Sequence, residues 1–433
     1  LLKAEGGLDG TRFDAVLMPV DFAFLTPQLS YTDDAVTLTL LRNETPLDDV
    51  AETPDEEEVA EAIDGQGPEG GPVAAGPDLY DEVLMLDRPG GRDALRQLSG
   101  SWSASVVSGL MDDSRFVRQA ALGNAHETGF WSRGFHSSAT RDEVDGVPGD
   151  SRSLHGVVLG GNRDVGHGWR LGGYFGVQHA QWDRRGNDGR GDGGNVGSRG
   201  EAFAGRADLL MYGPLNGGRA SATVQSTHLG FAASGAWTPL RLAAGVAHTW
   251  HRVKSRRDVA FGNFSDALTS RYRAGSTQVF AEAGWPLRVS RLQHPPSVGT
   301  ENMAAADRGG LRGRPDSSMP EPAVSAAAAA SGLRGPADPL ILEPFVRLAY
   351  LRTRVQGFDE GGGAAALSVS AVRHSVLFST LGLRLEQAVE TSKGQWRLQA
   401  QLAWRYASGA GRVAVDQRFS HGRGREFTSH GLP

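Results

Sequence analysis

Cysteine is absent from all 433 residues, which excludes a disulfide scaffold and any metal site built on thiolates. Lysine is nearly absent, with 3 residues against 41 arginines, so almost any cationic site must be built from guanidinium groups. No run of eighteen apolar residues occurs; residues 323–332 come nearest and are small, short and weakly apolar, which excludes a helical membrane protein. The chain opens Leu1-Leu2-Lys3-Ala4-Glu5 without a basic region followed by an apolar one, so we expect the distal part of a longer polypeptide rather than a signal-bearing start.

What is present is divided. The net charge of −6, which offers nucleic acid little, resolves into −16 over residues 1–99 and +10 over residues 100–433. Residues 11–42 hold short runs of alternation such as Ala35-Val36-Thr37-Leu38-Thr39-Leu40, too small a core to stand alone but suited to the last rung of a solenoid. Thr53-Pro54-Asp55-Glu56 sets a capping residue, Pro at N1 and Glu at N3 before an acidic helix with a solvated face. A Gly/Pro linker over residues 65–77 follows, then a helical turn or two at residues 79–86. Residues 94–122 give the longest helical period, with Leu95, Leu98, Trp102, Val106, Leu110, Phe116, Val117 and Leu122 three to four apart.

From Gly129 onward the period changes to two. In residues 396–407, Trp396, Leu398, Ala400, Leu402, Trp404 and Tyr406 share one face, while Arg397, Gln399, Gln401 and Arg405 share the other. The same pattern marks strands at residues 130–138, 154–165, 169–182, 228–236, 240–253, 277–289, 343–355 and 376–388. Nine strands of this length exceed the usual five or six residues of a soluble sandwich and suit tilted membrane strands. A sandwich gives the same alternation; Gly and Arg on the polar face favour a lumen. Trp169, Trp182, Trp250, Trp285, Trp396 and Trp404 near strand ends fit interfacial girdles. Short links at 166–168, 235–239 and 390–394 alternate with longer ones at 139–153, 183–227, 254–270 and 356–374, as in outer-membrane barrels; residues 290–340 are the exception.

With these features the sequence resembles the C-terminal portion of a type V secretion autotransporter. The stretch from Leu95-Arg96-Gln97-Leu98-Ser99-Gly100 through Ala104-Ser105 to Asp113-Ser114-Arg115-Phe116-Val117 is similar to the family's segment that enters the barrel. Phe22-Ala23-Phe24-Leu25-Thr26-Pro27 with Leu38-Thr39-Leu40 is similar to the passenger's end; Glu343-Pro344-Phe345-Val346-Arg347-Leu348-Ala349-Tyr350 and Phe378-Ser379-Thr380-Leu381-Gly382-Leu383-Arg384 resemble barrel strands. The resemblance implies an all-β fold: an outer-membrane antiparallel β-barrel of 12 strands, about 9 of them present here, with a lumenal α-helix and a preceding β-solenoid fragment. The expected divisions are residues 1–52, the passenger's end; 53–91, acidic helix and linker; 92–128, a pore-plugging segment; and 129–433, the barrel.

The resemblance implies that this chain transports its own passenger and is not itself an enzyme; the alternatives are a surface adhesin acting through exposed loops or passenger, and a catalytic passenger, esterase or protease, upstream of residue 1. It implies no cofactor and no metal, and as partners outer-membrane lipid, the chain's own passenger, the barrel-assembly machinery, periplasmic chaperones and host surface receptors. The absence of Cys fits a chain that must thread a pore. The family closes its barrel with further strands and a terminal aromatic, whereas this sequence stops at His430-Gly431-Leu432-Pro433, so about three strands are expected to be missing and this polypeptide alone is not expected to insert stably.

Individual motifs add candidates. Arg115 and Arg118 are candidates to contact the lumen from the plug, pairing with carboxylates such as Glu282, or else exposed helix arginines. Arg190-Gly191-Asp192, in a long link, is a candidate cell-attachment tripeptide in a chain rich enough in Arg and Gly to hold one by chance. Gly149-Asp150-Ser151 is followed by Arg152 where an esterase block has Leu, and lies in an expected loop without an arguable base. His126-Glu127 lacks the second His of a zinc-protease helix, and His248 and His251 would face opposite sides of a strand. Asp112, Asp113 and Asn124 are in range for the in-barrel self-cleavage of some autotransporters, without the Asn-Asn pair. A porin, the remaining rival, would need neither the lead-in nor the helix.

Overall fold

The structure, a computed structural model, describes the chain except residues 19, 66, 68–78, 186–217, 290–339, 392–393, 410, 422–424 and 433. Its N-terminal part is a small antiparallel sheet, order β1-β3-β2, of β1 (Leu2–Lys3), β2 (Leu25–Tyr31) and β3 (Ala35–Arg42), followed by a 3-10 turn at Leu47–Val50. Four helices follow: α1 (Pro54–Asp64), α2 (Leu79–Leu84), α3 (Arg88–Leu98) and α4 (Ser101–Asn124). The Thr53 side chain caps α1 by accepting from the Glu56 amide at 3.3 Å, and Asp87 caps α3 by accepting from Gly90 at 2.8 Å. Phe24, Leu47, Val50, Ile63, Val83, Leu84 and Leu95 bury their side chains where these elements meet.

The helical period read over residues 94–122 is divided between two helices, α3 and α4. Gly100 takes φ 66°, a left-handed conformation that an α-helix cannot pass through, and a Cβ there would lie 2.5 Å from the side chains of Gln417 and Leu367. The resulting corner turns the chain from α3 into the axis of the sheet that follows.

That sheet contains β4 (Gly129–Arg141), β5 (Asp150–Gly166), β6 (Trp169–Arg184), β7 (Ala220–Trp237), β8 (Leu240–Phe261), β9 (Phe264–Gly284), the three-residue β10 (Leu287–Val289), β11 (Leu340–Val355), then β12 (Phe358–Asp359) and β13 (Leu367–Val369) of a separate sheet, and again β14 (Val372–Thr391) and β15 (Gly394–Ser408). The nine long strands pair antiparallel in chain order from β4 to β15, with β10 beside β11. Among the described residues, β4 and β15 each pair on one side only. One face carries exposed Leu, Val, Phe, Trp and Tyr such as Leu171, Phe175, Val246, Trp250, Tyr350 and Leu381, and the alternate positions point into a lumen occupied by α4, which packs against β4 through β9 and β11.

Each of the nine expected strands is present, several of them longer. The link expected at 254–270 is instead the tip of one hairpin: β8 runs to Phe261, β9 starts at Phe264, and only Gly262 and Asn263 intervene. Its outward positions, including Arg252, Lys254, Arg271 and Arg273, are cationic, so no apolar alternation signals strand there. The link at 139–153 likewise shrinks, because β5 begins at Asp150 and Arg152 is a strand residue. Trp182 is no girdle residue. Its parity in β6 points inward and it is 1% exposed, whereas Trp169, Trp250, Trp285 and Trp404 are about half exposed on the outer face.

A third sheet, order β12-β13-β16-β17 with β16 (Ala414–Phe419) and β17 (Phe427–His430), lies over the α3/α4 corner. Gln417 donates to the Ser99 carbonyl at 2.5 Å, and the Leu432 amide donates to Ser105 Oγ at 3.1 Å. The acidic face of α1, expected to be solvated, holds this sheet: Asp55 accepts from the His430 amide at 2.7 Å, Glu58 from Thr428, and Glu61 pairs with Arg425 at 2.7 Å.

Inward aromatics lie over glycines of the neighbouring strand. A Cβ on Gly230 would meet the Tyr174 ring at 2.3 Å, and one on Gly382 the Phe345 ring at 2.4 Å. Gly230→Val and Gly382→Val should each destabilise the detergent-folded chain by about 1–3 kcal/mol, read as a lower urea midpoint of tryptophan fluorescence; unchanged midpoints would mean that the rings do not need this space.

Candidate functional site: the lumen and its helix

The lumen becomes a site because a sheet with period two must put every second residue inside, and here those positions include Arg152, Gln178, Gln278, Glu282, Arg347 and Arg384 among apolar ones. Against them α4 presents small residues along its first turns, Ser101, Ser103, Ala104 and Ser105, all buried. Gly109 continues the pattern, since a Cβ there would sit 2.7 Å from the ring of Trp182. The helix can therefore lie close to the wall.

Three layers of polar contact hold it. At the end nearest α3, Trp102 Nε1 donates to Ser255 Oγ at 3.0 Å, and Gln97 exchanges hydrogen bonds of 3.0 and 2.8 Å with the backbone of Ala260. Arg257, 2% exposed, pairs with Glu360 at 2.6 Å and donates to the carbonyls of Gln97 and Ala365. A buried charge is tolerated when it is paired and its remaining donors are satisfied, and Arg257 meets both conditions.

At mid-height, consecutive carboxylates of α4 reach different walls. Asp112 pairs with Arg405 of β15 at 2.8 Å, and Asp113 lies 3.1 Å from Arg152 of β5, which also donates to the Gly109 carbonyl. Gln178 of β6 donates to Asp113 at 3.4 Å, and Arg141 pairs with Asp150 alongside. One turn on, Arg118 donates to Gln278 Oε1 at 2.6 Å while Gln278 donates to the Ser114 carbonyl at 3.2 Å. The Arg118 guanidinium also stands over the Phe378 ring.

The lower layer belongs largely to the wall. Glu282 of β9 accepts from Arg347 of β11 and Arg384 of β14, each at 2.8 Å, and Glu343 faces Arg241 and Arg384 at 3.4 Å. Asn162 donates to the carbonyls of Asn124 and Glu127 at 2.7 and 3.0 Å, and Ser234 donates to that of Ala125. These bonds satisfy acceptors that the end of α4 leaves without a helical partner.

Of the residues singled out from sequence, Arg118 faces Gln278 and Phe378, Arg115 lies over the Phe116 ring, and Glu282 is engaged by Arg347 and Arg384 instead of by the helix. Arg190, Gly191 and Asp192 lie outside the described residues. Asp113 and Asn124 sit on one helix roughly 16 Å apart along its axis, with the Asn124 amide on the Ala120 carbonyl at 2.8 Å. Arg152 and Arg405 were not foreseen as helix partners. Their inward parity in β5 and β15 is the signal that marks them, but nothing local pairs them with Asp113 and Asp112.

An antiparallel sheet that is apolar outside, charged inside and curled round a helix of its own chain defines an outer-membrane β-domain of the self-exporting kind. The family profile described as Autotransporter beta-domain matches residues 130–305 and 323–432. The chain belongs to this family, and its β-domain is a type V secretion translocator of the outer membrane whose passenger is exported to the cell surface.

Two curated relatives, each called "Extracellular serine protease" and both from Serratia marcescens, are 24% identical over 354 residues and 23% identical over 352. Both matches cover 78% of this chain and 26% of the relative, so the chain spans about a quarter of their length. Among solved structures, the translocator domain of autotransporter NalP from Neisseria meningitidis matches 73% of this chain and 92% of its own at 11% identity and TM-score 0.39. The β-domain of the Bordetella autotransporter BrkA matches 67% and 86% at 14% identity and TM-score 0.33.

Removing Arg152 leaves Asp113 buried without its counter-charge, a change that costs about 3–5 kcal/mol when the partner charge remains. Arg152→Ala should therefore speed amide exchange through α4, and adding Asp113→Asn should recover most of the protection. Equal exchange in wild type and Arg152→Ala would show that this pair does not hold the helix.

Proposed function

We propose that residues 92–128 are the plug left in the pore by a passenger that has passed through it, and that residues 129–433 form the barrel. Residues 1–52 are then the passenger's solenoid end, and residues 53–91 its acidic junction. The observation that carries this reading is the course of the chain: the N-terminal sheet, α1, α2 and α3 all gather at one end of the curled sheet, and α4 then descends through the lumen to β4. That course is what threading a hairpin through the lumen leaves behind. Barrel-assembly machinery and periplasmic chaperones are the partners this route requires.

The cargo we assign is of the extracellular serine protease type, on the likeness to the two Serratia marcescens relatives, with hydrolysis belonging to a segment ahead of residues 1–52 and not to the barrel. A second reading, adhesion to host receptors, rests on the tripeptide Arg190-Gly191-Asp192, which falls in sequence between β6 and β7. The two are separable, since substituting Asp192→Glu should abolish adhesion and leave secretion and proteolysis intact.

Threading also explains the missing cysteines. A Cys pair placed in β2 and β3, closed by the oxidising periplasm, should stall the full-length protein with its N-terminal part inside the cell, and a reductant should restore surface exposure, scored by protease accessibility of intact cells. Full surface exposure of the oxidised variant would count against passage of an unfolded hairpin.

A further inference from the structure

On the outer face, the registers of β8, β9, β11 and β14 align side chains into rows that can be followed from one end of the sheet to the other. Two successive rows are Leu242–Ala283–Val346–Leu381 and Ala244–Ala281–Leu348–Ser379, and the next is Val246–Val279–Tyr350–Leu377, all without charge. Each further row lies about 7 Å along the strands, and the composition then changes abruptly. The row His248–Thr277–Arg352–Ser375 brings the first cation, and Trp250–Gly275–Arg354–Arg373 brings two. Beyond it Arg252 stands opposite Arg273, Lys254 opposite Arg271, and Arg256 opposite Thr269.

All eight cations are exposed. Asp258, 3.0 Å from Arg256, is the carboxylate paired within this band; among the described residues no carboxylate pairs with the other seven. Three directly opposed pairs, Arg252/Arg273, Lys254/Arg271 and Arg354/Arg373, are of like sign, an arrangement that destabilises a sheet unless an anion lies between them. The band begins at the height of Trp250 and Tyr350, where the apolar belt ends, and occupies the end at which Ser255 and Arg257 meet α4 and α3. In a translocator with its passenger at the cell surface, that is the outer-leaflet end. Among the described residues, the opposite ends of β8, β9 and β11 carry no such band.

We propose that this band binds the phosphates of phosphorylated lipids in the outer leaflet. Its height matches headgroups rather than chains or free solution, its guanidinium groups suit bidentate contact with phosphate, and its like-signed pairs supply the need for a bridging anion. The inference goes beyond export but takes the outer-leaflet end from the proposed function; its test reads lipid binding in detergent, where a chain that exports nothing would still bind, so the two can fail separately.

The test uses the full chain in a neutral detergent, titrated with diphosphorylated lipid A, with phosphatidylcholine, and with lipid A in the presence of excess inorganic phosphate, bound lipid being counted by native mass spectrometry. Lipid A should bind and phosphatidylcholine should not, and the quadruple variant Arg252→Gln/Arg273→Gln/Arg354→Gln/Arg373→Gln should bind lipid A about 1,000-fold more weakly. Since the variant removes repulsion, its urea midpoint without lipid should equal or exceed that of wild type, which separates lost binding from lost folding. Equal affinity of variant and wild type, equal binding of phosphatidylcholine, or displacement of lipid A by inorganic phosphate would each overturn the proposal, the last by identifying a site for free phosphate.

Discussion

In hydrocarbon a peptide group has no water to bond to, so each N–H and C=O of a spanning segment must find its partner within the protein. Between β4 and β15 that constraint is met by antiparallel pairing of neighbouring long strands, register by register, with the outer edges of β4 and β15 left unpaired among the described residues. Everything else follows from the geometry of such strands. Successive side chains alternate, so one face meets lipid and carries Leu, Val, Phe and Trp, and the other cannot avoid facing inward. A curled sheet with a polar inner face then needs something polar to fill it, and the chain fills it with its own helix.

The lumen resolves the cost of that choice with charge pairs spread over its height. Arg257 with Glu360, Arg152 with Asp113, Arg405 with Asp112, and Glu282 between Arg347 and Arg384 all join separate elements. Pairs of this kind contribute little net stability relative to a well-packed apolar core, yet they are expensive to break one partner at a time. They also suit a passage, because a polar wall can be rehydrated when the helix is absent, whereas an apolar one would collapse on itself. The side chains that seal α4 in place are thus compatible with a lumen that once held extended chain.

The outer face shows the same economy at its upper rim. Lipid-facing residues are read easily where they are apolar and poorly where they turn cationic, which is why β8 and β9 run well past their apolar alternation to Phe261 and Phe264. The expected loop at 254–270 rested on that loss of apolar signal. The corner at Gly100 was equally hidden, since a helical period continues through Leu95, Leu98 and Trp102 while the backbone reverses hand between them. Trp182 was misplaced for a simpler reason: its position near a strand end suggested a girdle, but its parity in β6 aims it at Gly109.

Parity is a local property, fixed by the alternation of a single strand, and so the sequence by itself determined nine strands, their lipid and lumen faces, the helix before them and the acidic lead-in capped at Thr53. What faces what across the lumen is not local. That Asp113 meets Arg152 and Asp112 meets Arg405, that Glu282 is held by Arg347 and Arg384 in place of Arg115 or Arg118, and that α1 clasps β17 through Asp55, Glu58 and Glu61 depends on how far the sheet curls and how α4 is rotated within it. Only the tertiary structure decides these, because a one-residue change in register or a fraction of a helical turn would exchange the partners without altering any strand's own pattern.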